Sequence, residues 1–400
     1  MAIGNRRSTL RAHVLLLAFL FVTAGLLTAQ TIAPETYEAL QYRHIGPVGN
    51  RIASVAGIPG DPMTYYVGAA SGGIWKTDDG GLFWTPVFDD HPIHAIGALA
   101  VSISDPEIVW AGTGEPHIRS NVTIGNGVWK STDGGDTWQH MGLDATGRIA
   151  RVLIHPTNPE IVYAASLGHT HAPQAERGIY RTTDGGATWE QVLFVDEHTG
   201  ASSLEMDPNN PRILYAGMWQ VLFNTWGRQS GGPGSGLFVS RDAGDTWTKL
   251  EGHGLPTRPL GKVDVCLTPA DSNRIYALLE TGDGVPLHGE ETDSGELWRS
   301  DDGAQTWQLV TYDRNFGGRT AYYNNCAVAP DDPDENWRVP ITWAVPENVG
   351  NQRGKFWAFF STDAETTLSG ILNAPWKTNM DRTHIQQAGI RERDTKAKTL

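Results

Sequence analysis

The fold is decided by the stretch Ser131-Thr132-Asp133-Gly134-Gly135-Asp136-Thr137-Trp138, which recurs along the chain in the pattern Ser/Thr-x-Asp-x-Gly-x-Thr-Trp. The aspartate at the third position of each copy is Asp79, Asp133, Asp184, Asp242 or Asp302. The steps between these aspartates are 54, 51, 58 and 60 residues, and one more step of 61 reaches Asp363, in a degenerate copy without the Gly and the Trp. A nearly fixed period of this length predicts a repeat architecture.

The surroundings of each copy predict the structure of one repeat. In the unit that contains Asp133, short runs rich in β-branched and aromatic residues lie at 100–103, 108–112 and 127–130, separated by turn residues, and a fourth begins at Thr137. A unit of four antiparallel strands is one blade of a β-propeller, and blades bury their faces by stacking around a ring. We therefore predict an all-β protein, a propeller of four-stranded antiparallel blades with six detected copies and six or seven blades in all.

The remaining segments lie outside the array. Residues 1–29 read as a signal peptide, with three arginines before the apolar run 14–27 and cleavage near Ala29, so the chain is expected to be exported to the periplasm or the exterior of a bacterium. Residues 30–50 form an N-terminal segment in which 37–45 can supply a ring-closing strand. The propeller is assigned to residues 51–370 and an irregular polar tail to 371–400. The mature chain has no long apolar run, so no membrane span is expected.

Charge and cysteine usage limit the partners and the covalent links. The net charge of −14 argues against nucleic acid, whose binding needs a basic surface. Cys266 and Cys326 lie three and four places before Pro269 and Pro330, which would point them to opposite faces of neighbouring strands. Two buried thiols are therefore expected in preference to a disulfide.

The repeated aspartates are expected to be structural. Each Asp can accept hydrogen bonds from backbone N–H groups of the turn between the third and fourth strands. The Gly allows a positive φ, and the Trp packs back over the blade. Six copies of one aspartate indicate repeated turn chemistry and not repeated active sites.

This motif is the Asp-box, or BNR repeat, and it carries a resemblance to known families. Asp-boxes occur in sialidases, in xyloglucan-cleaving enzymes of glycoside hydrolase family 74 and in the sortilin/Vps10 receptor propellers. The segments 42–47 (Tyr-Arg-His-Ile-Gly-Pro) and 70–76 (Ala-Ser-Gly-Gly-Ile-Trp-Lys) resemble the opening of secreted bacterial proteins with a sortilin-like propeller, often labelled glycosyl hydrolases. The resemblance covers residues 37–330 and implies the fold much more strongly than it implies a function.

The strand order assigns the connections between strands two and three, and between blades, to one face of the ring, which we call the long-loop face. Long loops on a rigid scaffold concentrate binding residues. The ligand-binding candidates on these loops are His117, Arg119, His169, His171, Trp219 and Trp226. A solvated loop surface is the alternative interpretation.

A second set of candidates comes from aligning the blades on their Asn/Asp-Pro turns. Arg51, Arg148 and Lys262 share one register at the start of the innermost strand, and His94 is one place away from it. We hypothesise a partial basic ring beside the central channel that binds an anionic group. The alternative is that these cations pair with nearby carboxylates of the chain.

Catalytic residues are harder to assign. Glycoside hydrolysis needs two carboxyl groups, and the resemblance to family 74 implies an essential Asp where this chain has Ser71. Glu115 is the best lone candidate for an acid or base. His169 and His171 lack a clear third ligand, so no metal is expected, and no cofactor motif is present.

These observations lead to a functional expectation with an open alternative. The protein is expected to be an exported, sortilin-like binding or interaction module that recognises a peptide, a protein or a glycan on its long-loop face. The alternative is a carbohydrate-active hydrolase of xyloglucanase or sialidase type, and a third possibility is a non-functional piece of a larger enzyme.

Overall fold

The computed structural model describes residues 51–119, 122–281, 297–311 and 320–328, together with the backbone of strand residues 342–344, 355–358, 360–365 and 371–373. The predicted signal peptide, the segment 30–50 and the tail beyond residue 373 lie outside the described residues. The described residues include a 3-10 turn at Asp144–Thr146 and a short helix at Thr320–Tyr323, and their other elements are strands.

Five sheets follow one another along the chain, each with its strands side by side in sequence order. We call them blades 1 to 5. Blade 1 contains β1 (Ile52–Gly57), β2 (Tyr65–Ala69), β3 (Ile74–Thr77) and β4 (Thr85–Pro86). Blade 2 contains β5 (Ile96–Val101), β6 (Val109–Thr113), β7 (Val128–Ser131) and β8 (Gln139–His140). Blade 3 contains β9 (Ile149–Ile154), β10 (Val162–Ser166), β11 (Gly178–Thr182) and β12 (Glu190–Leu193).

Blade 4 carries one additional strand. It contains β13 (Thr199–Met206), β14 (Leu214–Asn224), β15 (Gly227–Ser230), β16 (Gly236–Ser240) and β17 (Thr248–Lys249), with β15 paired to the far end of β14. Blade 5 contains β18 (Val263–Leu267), β19 (Ile275–Leu279), β20 (Leu297–Ser300) and β21 (Gln308–Thr311). All pairings in these five blades are antiparallel, which confirms the predicted propeller fold.

The hydrophobic core lies between the blades. The innermost strands β1, β5, β9, β13 and β18 contact one another in that order, so they surround the central axis. Each pair of neighbouring blades encloses its own cluster of buried apolar side chains, because a blade is apolar on both faces. These clusters include Tyr66 and Trp138 between blades 1 and 2, Trp110 and Val162 between blades 2 and 3, Tyr163 and Phe238 between blades 3 and 4, and Tyr215 and Trp298 between blades 4 and 5.

The Asp-box forms the turn between the third and fourth strands of each blade. In blade 2, Asp133 Oδ1 accepts hydrogen bonds from Ser131 Oγ at 2.7 Å and from the Thr137 N–H at 2.8 Å, while Oδ2 accepts from Thr137 Oγ1 at 2.6 Å. Gly135 has a φ of 93°, which favours glycine, and its N–H donates to Ser131 Oγ at 2.8 Å. The same bonds recur around Asp184, Asp242 and Asp302, while Asp79 bonds to the backbone of a turn in which Phe83 replaces the threonine.

Each Asp-box turn also contacts the preceding blade. Lys130 of blade 2 donates to the Gly185 carbonyl of the next turn at 3.3 Å, and Arg181 of blade 3 donates to the Ala243 carbonyl at 2.8 Å. Arg241 of blade 4 reaches the Gly303 carbonyl at 2.9 Å, and the Tyr66 hydroxyl of blade 1 reaches the Gly134 carbonyl at 2.7 Å. We call these contacts the inter-blade bonds. The motif therefore stabilises both its own turn and the joint between two blades.

The end of the array departs from the prediction. The sixth sheet contains β22 (Thr342–Ala344), β23 (Lys355–Ala358), β24 (Phe360–Glu365) and β25 (Ile371–Asn373) in the order β22-β25-β23-β24, with β23 and β25 parallel. Asp363 lies within β24 and not in a turn, so the interpretation of this site as a sixth Asp-box is wrong. Glu365 and Leu368 stand there in place of the Gly and the Trp, whereas the fifth turn keeps its Trp307 and forms with Ala304 at the Gly position, at a φ of 69°.

The expectation of two free thiols is also wrong. Cys266, on β18, forms a disulfide with Cys326, with their Cα atoms 5.9 Å apart. The expectation assumed that both residues lie in strands and obey the same alternation. Residues 324–328 are not in a strand, so their side chains are not restricted to two opposite directions.

The Asp-box hydrogen bonds predict a specific response to acid. They lower the pKa of Asp184, Asp242 and Asp302 to about 2, chiefly through the threonine hydroxyl, and they lower the pKa of Asp133 in the same way. A lowered pKa adds stability above the unfolded value of about 4, and this stability is lost as the pH falls through the folded value. We expect Asp133→Asn to melt below the wild type at pH 7, with a difference that shrinks as the pH falls below about 4.

Thermal melting followed by circular dichroism between pH 7 and pH 2 measures this effect. Asp136→Asn is the matched control, since Asp136 is an exposed aspartate in the same turn. An equal pH dependence for the two variants would contradict a structural role for Asp133.

The disulfide predicts a large loss of stability on reduction. Removal of a native disulfide from a small domain costs about 2–5 kcal/mol. We expect Cys326→Ser to lower the free energy of unfolding in urea by an amount in this range, and dithiothreitol to affect the wild type but not the double variant Cys266→Ser/Cys326→Ser. Two titratable thiols in the oxidised, folded protein would contradict the pairing.

Candidate functional site

The long-loop face is defined by the starts of the innermost strands. Arg51, Arg148 and Lys262 directly precede β1, β9 and β18, and His94 lies two residues before β5. The connections β2–β3 and β6–β7 lie at the same end, because the N–H groups of Ala70 and Gly114 donate to the carbonyls of Arg51 and Ala95, each at 2.8 Å. The predicted register therefore places these side chains around one mouth of the central channel.

Glu115 lies at this mouth between two arginines. Its carboxylate is 1% exposed, accepts hydrogen bonds from Arg119 Nε at 2.9 Å and Nη2 at 3.2 Å, and lies 3.5 Å from Arg51 Nη2. Arg51 and Arg119 therefore pair with a carboxylate of the chain itself.

Arg148 is fully buried beside this group. Its Nη1 donates to the Gly168 carbonyl at 3.1 Å, while Nε and Nη2 have no hydrogen-bond partner among the described residues. Burial lowers the pKa of Arg148 to about 10, and the nearby Glu115 opposes that change. The side chain remains a cation at neutral pH.

A second charged group lies on the innermost strands, and sequence reasoning missed it. Arg151 on β9 lies 3.8 Å from Asp264 Oδ1 on β18, and Asp264 Oδ2 accepts the Cys326 N–H at 2.6 Å. Burial raises the pKa of Glu205, on β13, to about 7, and it lowers the pKa of Lys262 to about 8. The signal that was available is the presence of charged residues within otherwise apolar inner strands.

Arg151, Asp264, Glu205 and Lys262 lie at different depths along the inner strands, and Glu205 is distant from the mouth along its strand. It is the seventh residue of the eight in β13, next to the Asp-box end. Glu115 belongs to the opposite end, so the two carboxyl groups are not brought to one point.

Residues 320–328 lie at the channel mouth. The Ile118 N–H donates to the Ala321 carbonyl at 3.1 Å, and Asn324 Nδ2 donates to the Lys262 and Leu278 carbonyls at 3.2 and 3.4 Å. His117 stacks on Tyr322 at 5.6 Å between ring centroids. This segment therefore joins the loop after β6 to the mouth of blade 5.

The histidine candidates have separate environments. His117 Nε2 lies 3.1 Å from the Ala53 carbonyl, and burial lowers the pKa of His117 to about 4, so the ring is neutral at pH 7. His171 Nδ1 lies 2.8 Å from the Phe223 carbonyl, while burial and the charge of Arg148 lower the pKa of His169. Among the described residues, no group of three or more His, Cys, Asp or Glu side chains is arranged to hold a metal ion.

Arg177 fastens the loops of blades 3 and 4 together, and sequence reasoning did not identify it. Its guanidinium is fully buried, with Nη1 donating to the His198 carbonyl at 2.5 Å and to Val221 at 3.4 Å. Nη2 donates to the carbonyls of His169 at 2.6 Å and Ala172 at 3.1 Å. Nothing in the composition of the strand that follows indicates this role.

The two tryptophan candidates differ sharply. The stretch 219–230 is not a loop, because β14 continues through it and pairs with β15. Trp219 is fully buried in a cluster with Leu167, Val221 and Ala321, and its Nε1 donates to Ser230 Oγ at 2.9 Å. The expectation that Trp219 contacts a ligand is therefore wrong, whereas Trp226, at the hairpin tip, is 88% exposed.

The comparisons with known proteins fit an Asp-box propeller. The family model described as "Sortilin, neurotensin receptor 3" matches residues 126–258. A xyloglucanase of Hypocrea jecorina is 27% identical over 351 residues, which is 76% of this chain and 39% of that protein. A xyloglucanase of Paenibacillus sp. is 25% identical over 347 residues, which is 77% of this chain and 31% of that protein. The vacuolar protein sorting/targeting protein 10 of Sordaria macrospora is 34% identical over 64 residues, 16% of this chain and 4% of that protein.

Among solved structures, a GH74 enzyme of Niastella koreensis superposes with a TM-score of 0.50 at 22% identity, covering 65% of this chain and 38% of that chain. This likeness supports the fold. The chain spans about two fifths or less of the length of the two xyloglucanases it matches. The predicted resemblance to sortilin-like and family 74 propellers is confirmed.

The same comparisons correct the functional expectation. Relatives that match about three quarters of the chain are xyloglucanases, while the match to the sorting receptor is limited to 64 residues. The expectation of a non-enzymatic binding module is therefore wrong, and the findings favour the hydrolase alternative. In the part of the chain that the structure describes, no helix is long and apolar enough to cross a membrane.

Substitution of Arg177 tests whether its hydrogen bonds to backbone carbonyls stabilise the loops of blades 3 and 4. Four carbonyl contacts depend on one buried guanidinium, and buried acceptors left unpaired cost about 1–3 kcal/mol each. We expect Arg177→Ala to lower the free energy of unfolding by about 3 kcal/mol or more, and Arg177→Lys to restore part of it. Urea denaturation measures both, with the exposed Arg212→Ala as control; equal stability of the Ala and control variants would contradict this role.

Proposed function

We propose that the protein is a carbohydrate-active enzyme of the glycoside hydrolase type that acts on a xyloglucan-like β-glucan bound at its long-loop face. The observation that carries this proposal is the similarity to xyloglucanases over 76% and 77% of the chain. Matches of that length include the strands and loops between the Asp-boxes. A similarity produced by the repeat alone would be expected to be short, as it is for the sorting receptor.

The expected export agrees with this substrate. A plant-type polysaccharide lies outside the cell, so an enzyme that cleaves it has to be exported. Sugar hydroxyls can also accept hydrogen bonds at the mouth of the channel, where Glu115 pairs with Arg51 and Arg119, and Nε and Nη2 of Arg148 have no partner among the described residues.

Glu115 is the carboxylate that we assign to the reaction. Hydrolysis of a glycosidic bond uses one carboxyl group as a proton donor and another as a base or nucleophile. Both carboxylate oxygens of Glu115 accept hydrogen bonds from Arg119, and Arg51 lies 3.5 Å from Oε1, so the geometry suits the role of base and not of proton donor. Ser71 has no carboxyl group, so it does not supply the second carboxyl group that this reaction needs.

The first test is catalytic activity on the proposed substrate. Purified protein is incubated with xyloglucan, with carboxymethylcellulose and sialyllactose as alternative substrates, and new reducing ends or free sialic acid are measured. We expect reducing ends from xyloglucan in preference to carboxymethylcellulose. Turnover of none of the three would contradict the proposed function.

The second test concerns Glu115. Loss of a general base typically lowers the rate by about 100-fold to 10,000-fold, so Glu115→Gln is expected to lower kcat by at least about 100-fold. Because Glu115 also pairs with arginines, kcat is expressed per folded molecule, with the folded fraction taken from thermal melting. Glu197→Gln, an exposed acid between β12 and β13, is the control. A folded Glu115→Gln protein with wild-type kcat would contradict the assignment.

A further inference from the structure

Blade 4 carries a hairpin to which the described residues of the other four blades form no counterpart. β14 has eleven residues, whereas β2, β6, β10 and β19 have five each. Its last part pairs with β15 through a two-residue loop, Thr225-Trp226, closed by the pair Asn224 and Gly227. The second strand therefore extends beyond its blade on the long-loop face and presents Trp226 at the tip.

The hairpin is held firmly at its base. The Phe223 N–H donates to the Thr170 carbonyl at 2.7 Å, and the Val221 N–H donates to the His198 carbonyl at 3.2 Å. Trp219 anchors the same strand in the buried cluster described above. A side chain on a strand anchored in this way is positioned more accurately than one on a free loop.

A cavity of about 160 Å³ lies beside this hairpin, lined by His198, Gln220, Val221, Leu222, Gln229 and Gly231. It is smaller than the sites of about 300–1,000 Å³ that hold drug-sized ligands, so it suits a single ring and not a long segment. His198 and Gln229 are exposed, and Gln220 Oε1 accepts the Gly234 N–H at 3.0 Å. Within the described residues, no acceptor is bonded to Nε2 of Gln220.

The chemistry of this lining points to a neutral, hydroxylated ligand. Glutamine amides each supply donors and an acceptor in one plane, and the imidazole of His198 adds two ring nitrogens that can take part in hydrogen bonds. No Asp, Glu, Lys or Arg side chain is among the residues that line the cavity. Such a lining can bind hydroxyl groups, but it lacks a charge to select an ionic ligand.

Trp226 adds an apolar surface at the tip of the same hairpin, three residues from Gln229 along the chain. An exposed indole can stack on the apolar face of a sugar ring. The polar neighbours Asn224 and Arg228 make the tip unlike a continuous apolar protein interface.

We infer that Trp226 and the adjacent cavity form a glycan subsite, in which the indole stacks on one sugar residue while His198, Gln220 and Gln229 bind the hydroxyls of another. The ligand class is a neutral oligosaccharide chain, and this assignment rests on the proposed function. The subsite binds sugar and takes no part in bond cleavage. It increases the affinity for a chain that crosses blade 4.

The test measures binding and turnover separately. Isothermal titration calorimetry with purified xyloglucan oligosaccharides compares wild-type protein with Trp226→Ala, Trp226→Phe and Gln229→Ala. Phe83→Ala is the matched control, because Phe83 is an exposed aromatic residue in an Asp-box turn, at the other end of its blade. Turnover of xyloglucan is measured for every variant, and melting curves confirm folding.

We expect Trp226→Ala to raise the Kd about tenfold or more, in line with loss of an aromatic contact, while kcat stays within about twofold. Trp226→Phe should recover part of the affinity, Gln229→Ala should weaken binding, and Phe83→Ala should leave the Kd unchanged. Wild-type affinity in both Trp226→Ala and Gln229→Ala would overturn the subsite. If the wild-type protein still cleaves xyloglucan in that case, the proposed function remains intact. A wild type that neither binds nor cleaves xyloglucan would overturn both.

Discussion

The structure depends on the joint between neighbouring blades. One blade of this protein has two apolar faces, so it gains stability by packing against the next blade. The inter-blade bonds fix that packing, because side chains such as Lys130, Arg181 and Arg241 donate to the carbonyls of the following Asp-box turn. The turn presents those carbonyls correctly only while its aspartate holds the backbone. The repeat is therefore conserved within the chain for a mechanical reason.

This constraint separates the two ends of the propeller. The Asp-box end is occupied by turns whose polar groups are satisfied internally, as shown by the three hydrogen bonds to Asp133. The long-loop end has no repeated motif, and its loops differ in length and composition from blade to blade. Blade 2 contributes Glu115 and blade 4 contributes the Trp226 hairpin, so the chemistry of this face is specific to individual blades.

Much of the fold was predictable from the sequence, because the residues that determine it act locally. The spacing of Asp79 to Asp302 was enough to identify the first five blades, since each aspartate has the same short-range role. The sixth unit was not predictable in this way, because the copy around Asp363 has lost both the Gly and the Trp of the motif. The Cys266–Cys326 disulfide was missed because strand alternation was applied to a segment that is not a strand.

The candidate site was less predictable, because its contacts are made between blades. The register of Arg51, Arg148 and Lys262 was visible in the sequence, but the partner of Arg51 is Glu115, 64 residues away. Trp219 and Trp226 look alike in sequence, yet the hairpin pairing buries one and exposes the other. Arg177 left no signal at all, because its four acceptors are backbone carbonyls that any residue provides.

The central claim is that glycan recognition belongs to the long-loop face and that the Asp-boxes only hold the blades together. Hydrogen–deuterium exchange with and without a saturating xyloglucan oligosaccharide tests this most directly, because each face is covered by different peptides. The account predicts increased protection in peptides that contain residues 198 and 219–231, with unchanged exchange in the turns 133–138 and 184–189. Protection confined to the Asp-box turns would contradict it.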